Sequence, residues 1–153
     1  MKSLELAVPP PVVMLVTALA MWLLSALLPG FTMPALSRVA GTAVIGLTGL
    51  GMSMAGLMAF KRARTTPDPR RPGAASTLVT SGVYRLTRNP MYLGILLMLI
   101  AWGLFLGNAV SLLFAFAFAL YIHRFQIRPE ERFLQDKFGA DFAAYKAKVR
   151  AWI

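Results

Sequence analysis

Four long apolar stretches alternate with short polar segments along the chain. They run from about Pro10 to Leu28, from about Val39 to Phe60, from about Pro90 to Leu106 and from about Ala109 to Gln126. Each approaches the roughly 20 residues that a helix needs to cross about 30 Å of hydrocarbon. The pattern therefore predicts an all-α integral membrane protein with about four transmembrane helices.

The third and fourth stretches are separated only by Gly107 and Asn108. A connection this short predicts a tight antiparallel helical hairpin. The start of the third helix and the end of the fourth should then lie side by side at the same membrane face.

Small residues recur in the second stretch. Gly51, Ala55 and Ala59 stand four positions apart, a spacing that lets helix backbones approach closely in lipid. We interpret them as a packing stripe within the chain or between chains, and the oligomeric state stays open.

Basic residues suggest an orientation. The loop after the second stretch contains Lys61, Arg62, Arg64, Arg70 and Arg71, whereas the hairpin turn carries no charge. By the positive-inside rule this loop is cytoplasmic, and so are both termini and the start of the third helix. Lys2 agrees with this topology, and Arg38 on the opposite side weakly disagrees. We expect an inner or plasma membrane location, with Thr65–Thr77 as an irregular cytosolic connector.

The composition agrees with a membrane protein. Of 153 residues, 58% are hydrophobic and 14% charged, more apolar surface than a soluble domain of this length can bury. We predict one membrane domain, with two N-terminal spans in residues 1–60 and the functional core in residues 61–153. The net charge of +10 lies beside apolar stretches and suits anionic lipid rather than nucleic acid. With no cysteine and one histidine, thiolate and multi-histidine metal sites are excluded.

The segment after the fourth stretch has apolar residues at helical spacing with charges between them. These apolar residues are Phe133, Leu134, Phe138, Phe142 and Tyr145. The spacing predicts a cytosolic amphipathic helix on the membrane or against the bundle. We expect a break or kink at Pro129 and a bend at Gly139.

Polar residues crowd the start of the third helix in the sequence RLTRNPMYLG. Asn89 followed by Pro90 is a favourable N-cap. Free backbone N–H groups beside Arg88 could receive an anion, and Tyr92 could stack on a ring or face a cation. The alternative is ordinary interfacial anchoring by arginine and tyrosine.

Two adjacent carboxylates, Glu130 and Glu131, follow the fourth stretch. Adjacent helical positions point about 100° apart, so one could bind a cation while the other pairs with Arg128 or Arg132. The alternative is a solvated helix start. Because the short hairpin places these acids near Arg88, a zwitterion with an amine and a carboxylate would suit the site.

Two motifs together resemble a known family. LVTSGVYRLTRNPMYLG and EERFLQDKFGADFAAYKAKVRAWI are similar to motifs of the isoprenylcysteine carboxyl methyltransferase and phospholipid methyltransferase superfamily, and the resemblance covers roughly Phe60 to Trp152. It implies a membrane methyltransferase that uses S-adenosylmethionine, releases S-adenosylhomocysteine and binds this cofactor at the cytosolic face. The cofactor-binding residues that it implies are Tyr84, Arg88, Asn89, Pro90, Tyr92, Gly94, Glu130 and Glu131. Asn89 stands where carboxyl-methylating members often have histidine.

The expected acceptor is a lipophilic or lipid-tailed molecule, with carboxyl O-methylation of an isoprenylcysteine-like substrate as the main prediction. A carboxylate acceptor needs no base, and Arg124, Arg128 or Arg150 could hold it. In phospholipid or other amine N-methylation the acceptor first loses a proton, so His123 or Glu130 could be the base. The candidate catalytic residues are Arg88, His123 and Glu130.

Other classes of function stay open. A non-enzymatic four-span scaffold or anionic-lipid binder would need only the basic loops and the small-residue packing. The C-terminal motif also resembles part of larger membrane sterol reductases that use a nicotinamide cofactor, although this chain lacks their additional spans.

Overall fold

The computed structural model describes residues 4–65 and 76–153, and every regular element in those ranges is helical. The helices are α1 (Pro10–Leu27), α2 (Ala35–Arg62), α3 (Pro90–Leu106), α4 (Ala109–Ile122) and α5 (Arg128–Lys148). A 3-10 helix (Gly82–Arg85) precedes α3, and a one-turn π-helix (His123–Ile127) joins α4 to α5. The predicted all-α fold is confirmed. Lys2, Arg70, Arg71 and most of the Thr65–Thr77 connector lie outside the described residues, and the orientation in the membrane stays a prediction.

Within residues 4–65 and 76–153, three helices are long and apolar enough to cross a membrane: α1, α2 and the continuous helix Ala109–Lys148. The apolar part of this last helix is α4, whereas the charged α5 extends beyond it. The 17-residue α3 is a shorter apolar helix of about 26 Å. Leucines on α1 and α2 face outwards, with Leu15 62% and Leu36 82% exposed, as expected for surfaces covered by lipid. The chain is therefore an integral membrane protein.

Helix α3 occupies the centre of the bundle, because α1, α2 and α4 all pack against it. The hairpin between α3 and α4 turns at Gly107 and Asn108, as predicted. Gly107 ends α3 in the left-handed conformation, and the Asn108 side chain caps α4 by accepting from the N–H groups of Val110 and Ser111. The start of α3 and the end of α4, which the sequence predicts to face the cytosol, therefore lie side by side.

Small residues make the contact between α2 and α3, but Gly51 of the predicted stripe is not one of them. A Cβ placed on Gly51 meets no described atom within 4 Å, so this residue does not pack against α3, and its packing between chains stays a prediction. The contact uses Gly49, where a Cβ would stand 2.6 Å from the carbonyl oxygen of Gly94. Ser53, one turn further along α2, donates to Met91 O at 3.3 Å. The two backbones touch here, which fixes α3 closely against α2.

The helix that runs from α4 into α5 is not broken at Pro129. The residues before it, Ile127 and Arg128, keep helical dihedral angles, and the local irregularity is the π-helix that precedes the proline. Further along, Gly139 has φ +50° and ψ −117° inside α5. The bend predicted at Gly139 is confirmed, whereas the break or kink predicted at Pro129 is replaced by a π-turn.

Candidate active site

The polar segment before α3 is hydrogen-bonded to the chain that follows α5. The N–H of Arg88 donates to Arg150 O at 3.0 Å, and the Thr87 hydroxyl donates to Ala151 O at 3.0 Å. Asn89 occupies the N-cap position of α3, as predicted, but its side chain makes no capping bond and donates to Ala151 O at 2.9 Å. The polar segment therefore starts α3 and also connects the start of this helix to the chain after α5.

Arg88 holds this junction to α5. Its Nε and Nη2 donate to Glu131 Oε1 at 3.1 and 2.5 Å, and its Nη1 donates to the carbonyl oxygens of Lys146 and Val149. Lys146 Nζ contacts the other carboxylate oxygen of Glu131 at 3.0 Å. The arginine that pairs with the acidic tandem is thus Arg88, instead of the Arg128 or Arg132 suggested by proximity in sequence.

This ion pair is shielded from solvent, with the Arg88 and Glu131 side chains only 9% and 15% exposed. Burial alone would raise the pKa of Glu131, but hydrogen bonds from Arg88 and Lys146 outweigh it and hold the pKa below its ordinary value. Glu131 is therefore ionised at neutral pH, and its charge is neutralised within the site.

Glu130 has a different environment from its neighbour. Tyr92 Oη donates to Glu130 Oε1 at 2.5 Å, and among the described residues none forms an ion pair with Glu130. Burial raises the pKa of Glu130 to about 8, the Tyr92 hydrogen bond opposes this shift, and the Glu131 charge adds to it. This carboxyl group can consequently gain or lose a proton near neutral pH, as a general acid or base must.

Two further tyrosines brace the site. Tyr145 Oη donates to Tyr84 O at 2.6 Å, and the Tyr84 ring meets Phe60 edge-on at a centroid distance of 5.5 Å. Burial raises the pKa of Tyr84, and raises that of Tyr145 to about 12. Both phenols are therefore neutral in the physiological range.

A cleft of about 690 Å³ opens between residues 76–85 and α5. Its lining is mixed: polar or charged residues such as Thr77, Thr80, Arg85, Asp141 and Lys148 stand beside apolar or aromatic ones such as Leu78, Phe138, Tyr145 and Val149. Tyr145 and Val149 belong both to this lining and to the contacts around Arg88 and Tyr84. The cleft thus adjoins the junction described above.

The other predicted site residues lie in varied positions. Pro90 is buried at the start of α3, and Gly94 is buried against α2, where a Cβ would collide with Ser53 and Gly49. His123 begins the π-helix, and its buried Nδ1 has no hydrogen-bond partner among the described residues. Their functional roles stay predictions.

The role of the three arginines predicted to hold the acceptor stays a prediction. The side chains of Arg124, Arg128 and Arg150 are exposed, and Arg150 reaches the junction through its carbonyl oxygen. Sequence reasoning missed Thr87, Tyr145 and Lys146 as site residues. Tyr145 lies inside the second motif, which was the available signal, whereas Thr87 and Lys146 act through contacts with no local signature.

The amino-acid sequence of this chain is similar to those of several known proteins. A family model described as phospholipid methyltransferase matches residues 36–141. Protein-S-isoprenylcysteine O-methyltransferase A of Arabidopsis thaliana is 40% identical over 79 residues, which are 50% of this chain and 39% of that protein. The cobalt-zinc-cadmium resistance protein CzcN of Cupriavidus metallidurans is 41% identical over 78 residues, 50% of this chain and 35% of that protein.

A shorter relative from Haemophilus influenzae, described as an uncharacterized protein, is 49% identical over 63 residues, which are 41% of this chain and 100% of that protein. The chain spans only 39% of the Arabidopsis relative's length. No solved structure matches the chain.

Proposed function

The chain belongs to the phospholipid methyltransferase family, whose model covers residues 36–141, and on this premise we propose that it is a membrane methyltransferase dependent on S-adenosylmethionine. Its acceptor is lipophilic, and the reaction is carboxyl O-methylation of an isoprenylcysteine-like substrate. Relatives named as isoprenylcysteine O-methyltransferases support this choice.

The observation that carries the proposal is Glu130, a buried carboxyl bonded to Tyr92 without a cationic partner among the described residues. It lies beside the Arg88–Glu131 ion pair. A carboxylate in such a place attracts a cationic group, since its charge is poorly screened when buried. A bound sulfonium or ammonium would supply the missing counter-charge.

The residues present fit the cofactor. The cleft of about 690 Å³ lies in the size range of small-molecule sites. The hydroxyls of Thr77 and Thr80 offer polar contacts there, and Asp141 offers an anionic one. Glu130 is not part of the cleft lining and would supply a second anionic group from beside the Arg88–Glu131 ion pair. When bound, S-adenosylmethionine supplies a methyl group on a sulfonium that an acceptor can displace in line.

The chain's own contribution is positioning, which alone can supply a large part of the barrier reduction in a displacement reaction. Arg88 and Glu131 fix the start of α3 against α5, and Tyr92 fixes Glu130. For a carboxylate acceptor, an exposed cation at the end of the fourth span, Arg124 or Arg128, would hold the negative charge.

A specific observation keeps amine N-methylation as a second candidate. The pKa of Glu130 is raised by burial to about 8, close to the working pH that suits a general base. An ammonium acceptor must lose a proton before it can attack, and Glu130 could receive it. His123 is the other candidate base.

The proposed site faces the cytoplasm. Lys61, Arg62 and Arg64 lie at or just after the end of α2, and the positive-inside rule assigns this end to the cytoplasmic side. Contacts of α2 with the 3-10 helix place the cleft at the same end of the bundle. A soluble cofactor can then enter from the cytoplasm and a lipid-tailed acceptor from the membrane.

Cofactor binding tests the proposal first. Calorimetry on the protein in detergent should detect S-adenosylhomocysteine, and Glu130→Gln and Arg88→Ala should weaken its binding. Asp136→Asn, an exposed acid on α5, and Arg38→Ala, on the opposite side of the membrane by prediction, are the matched controls. Absence of binding at millimolar ligand would overturn the enzyme proposal and favour the scaffold or lipid-binder alternative.

The acceptor is tested by methyl transfer from radiolabelled S-adenosylmethionine. N-acetyl-S-farnesylcysteine offers a carboxylate, and vesicles of phosphatidylethanolamine offer an amine. Alkali releases methanol from a methyl ester, whereas a methylated amine keeps its label. Alkali-labile label on the prenylated cysteine supports O-methylation; stable label on the phospholipid would replace it by the amine reaction.

A further inference from the structure

The short segment before α1, Leu4–Val8, contacts the π-helix and the first turns of α5, the helix that carries Glu130. Pro129 has no N–H, so it cannot supply the α-helical hydrogen bond to the carbonyl oxygen of Phe125 four residues earlier. Leu6 donates its N–H to that oxygen at 3.0 Å. The segment thus satisfies a backbone acceptor that the proline leaves without its usual donor.

Leu6 adopts a backbone conformation that a leucine rarely takes. Its φ is +56°, in the left-handed region that favours glycine. Such a conformation persists only where surrounding contacts determine it. The contact with Phe125 is therefore a defined feature of the fold.

Two side chains hold the same segment on either side of Leu6. Gln126, which is 1% exposed, donates through Nε2 to Val8 O at 2.7 Å. Arg132 forms an ion pair with Glu5. These contacts extend from the π-helix into the first turns of α5, and Glu130 lies between their attachment points.

We infer that the segment Leu4–Val8 holds the start of α5 in the position that presents Glu130 to the reacting groups, with Gln126 as the positioning residue. This inference rests on the proposed function, because it assigns a role within the same site. Gln126 lies one helical turn before Glu130 and touches neither substrate nor cofactor in this assignment. Its effect passes through the π-turn and the backbone of α5.

The test replaces Gln126 by methionine, which keeps the side-chain length and removes the amide donor. Gln135→Met is the matched control, because Gln135 is an exposed glutamine on α5 whose side chain also donates to a carbonyl oxygen, that of Gly139. With whichever acceptor the wild-type protein methylates, kcat of Gln126→Met should fall on the order of tenfold, since small misplacements are costly in positioned reactions. KM for S-adenosylmethionine should change by less than about twofold.

A second variant covers the case in which Gln126→Met folds poorly. Arg132→Gln removes only the ion pair with Glu5, whose arginine side chain is 55% exposed, so its effect on stability is small. Its kcat should fall about threefold at unchanged KM. Wild-type kcat in both variants, or equal losses in Gln126→Met and Gln135→Met, would overturn the inference.

Backbone hydrogen exchange separates this inference from the proposed function. Gln126→Met should speed amide exchange in residues 127–131 by about fivefold or more relative to Gln135→Met, since local opening becomes easier when such contacts are lost. A wild-type protein that transfers no methyl group would overturn the proposed function alone. Unchanged exchange in Gln126→Met would overturn the positioning role, whatever the activity.

Discussion

Replacing Gly49 by alanine tests the contact that fixes α3 against α2. The added Cβ would lie 2.6 Å from Gly94 O and 2.9 Å from Leu97 Cβ, about 0.8 Å short of the 3.4 Å at which ordinary contact with that oxygen begins. The obstructing oxygen belongs to a helix backbone, so the two helices must move apart. Overpacking of this kind typically costs 1–3 kcal/mol, and the better helix propensity of alanine returns about 1 kcal/mol. Because the obstructing atom is a backbone oxygen that cannot turn aside, we expect the upper end of this range, about 3 kcal/mol, and hence a net loss of about 2 kcal/mol in unfolding free energy.

Gly51→Ala is the matched control, because it makes the same change two residues further along α2 with nothing within 4 Å of the new methyl group. It should stabilise the protein by up to about 1 kcal/mol. Helix propensity cancels between the two variants, so their difference in unfolding free energy, measured by denaturant titration in detergent micelles, isolates the collision at about 3 kcal/mol. Equal stability of the two variants would refute the close contact between α2 and α3.

Three further predictions concern the polar groups of the site. Glu131→Gln should lower the unfolding free energy by about 2–3 kcal/mol, because it leaves the shielded charge of Arg88 unpaired. The pKa of Glu131 is lowered in the folded state, so the wild type should lose stability as pH falls below 4.5 and Glu131 becomes protonated, as unfolding titrations from pH 7 to 3 would show. Since the pKa of Glu130 is raised by burial to about 8, the wild type should lose stability as pH rises from 4.5 to 8, and Glu130→Gln should remove that loss in thermal unfolding at pH 5 and 9. Tyr145→Phe removes the hydrogen bond to Tyr84 O and should lower the unfolding free energy by about 1 kcal/mol in the same assay.

Helix ends were predictable where the sequence carries strong local signals. Asn89-Pro90 and Gly107 bound α3 as predicted, because proline suits a first helical turn and glycine the left-handed end. Helix α2 begins four residues before the predicted Val39. The residues of α2 that meet α3 were not predictable, because a helix in lipid is apolar all round and hydrophobic periodicity cannot show which glycines meet a neighbour.

The sequence was enough to predict which residues of the site lie close together, but not which of them form ion pairs or hydrogen bonds with each other. The short hairpin sufficed to place Arg88 near Glu130 and Glu131. Which acid pairs with Arg88 depends on the rotation of α5 about its axis, which the π-turn before Pro129 sets. A local insertion of this kind has no simple sequence signature, so the pairing emerged only from the structure.

The junction before α3 is asymmetric in what it requires of the two segments that form it. Thr87, Arg88 and Asn89 donate hydrogen bonds through their side chains, whereas the segment after α5 accepts hydrogen bonds through the carbonyl oxygens of residues 149–151. Every amino acid carries a carbonyl oxygen, so this contact requires a particular backbone path from residues 149–151 but no particular side chains. The contact therefore depends on which side chains occupy residues 87–89, but only on the backbone position of residues 149–151. A search for sequence motifs can detect only the first of these two requirements.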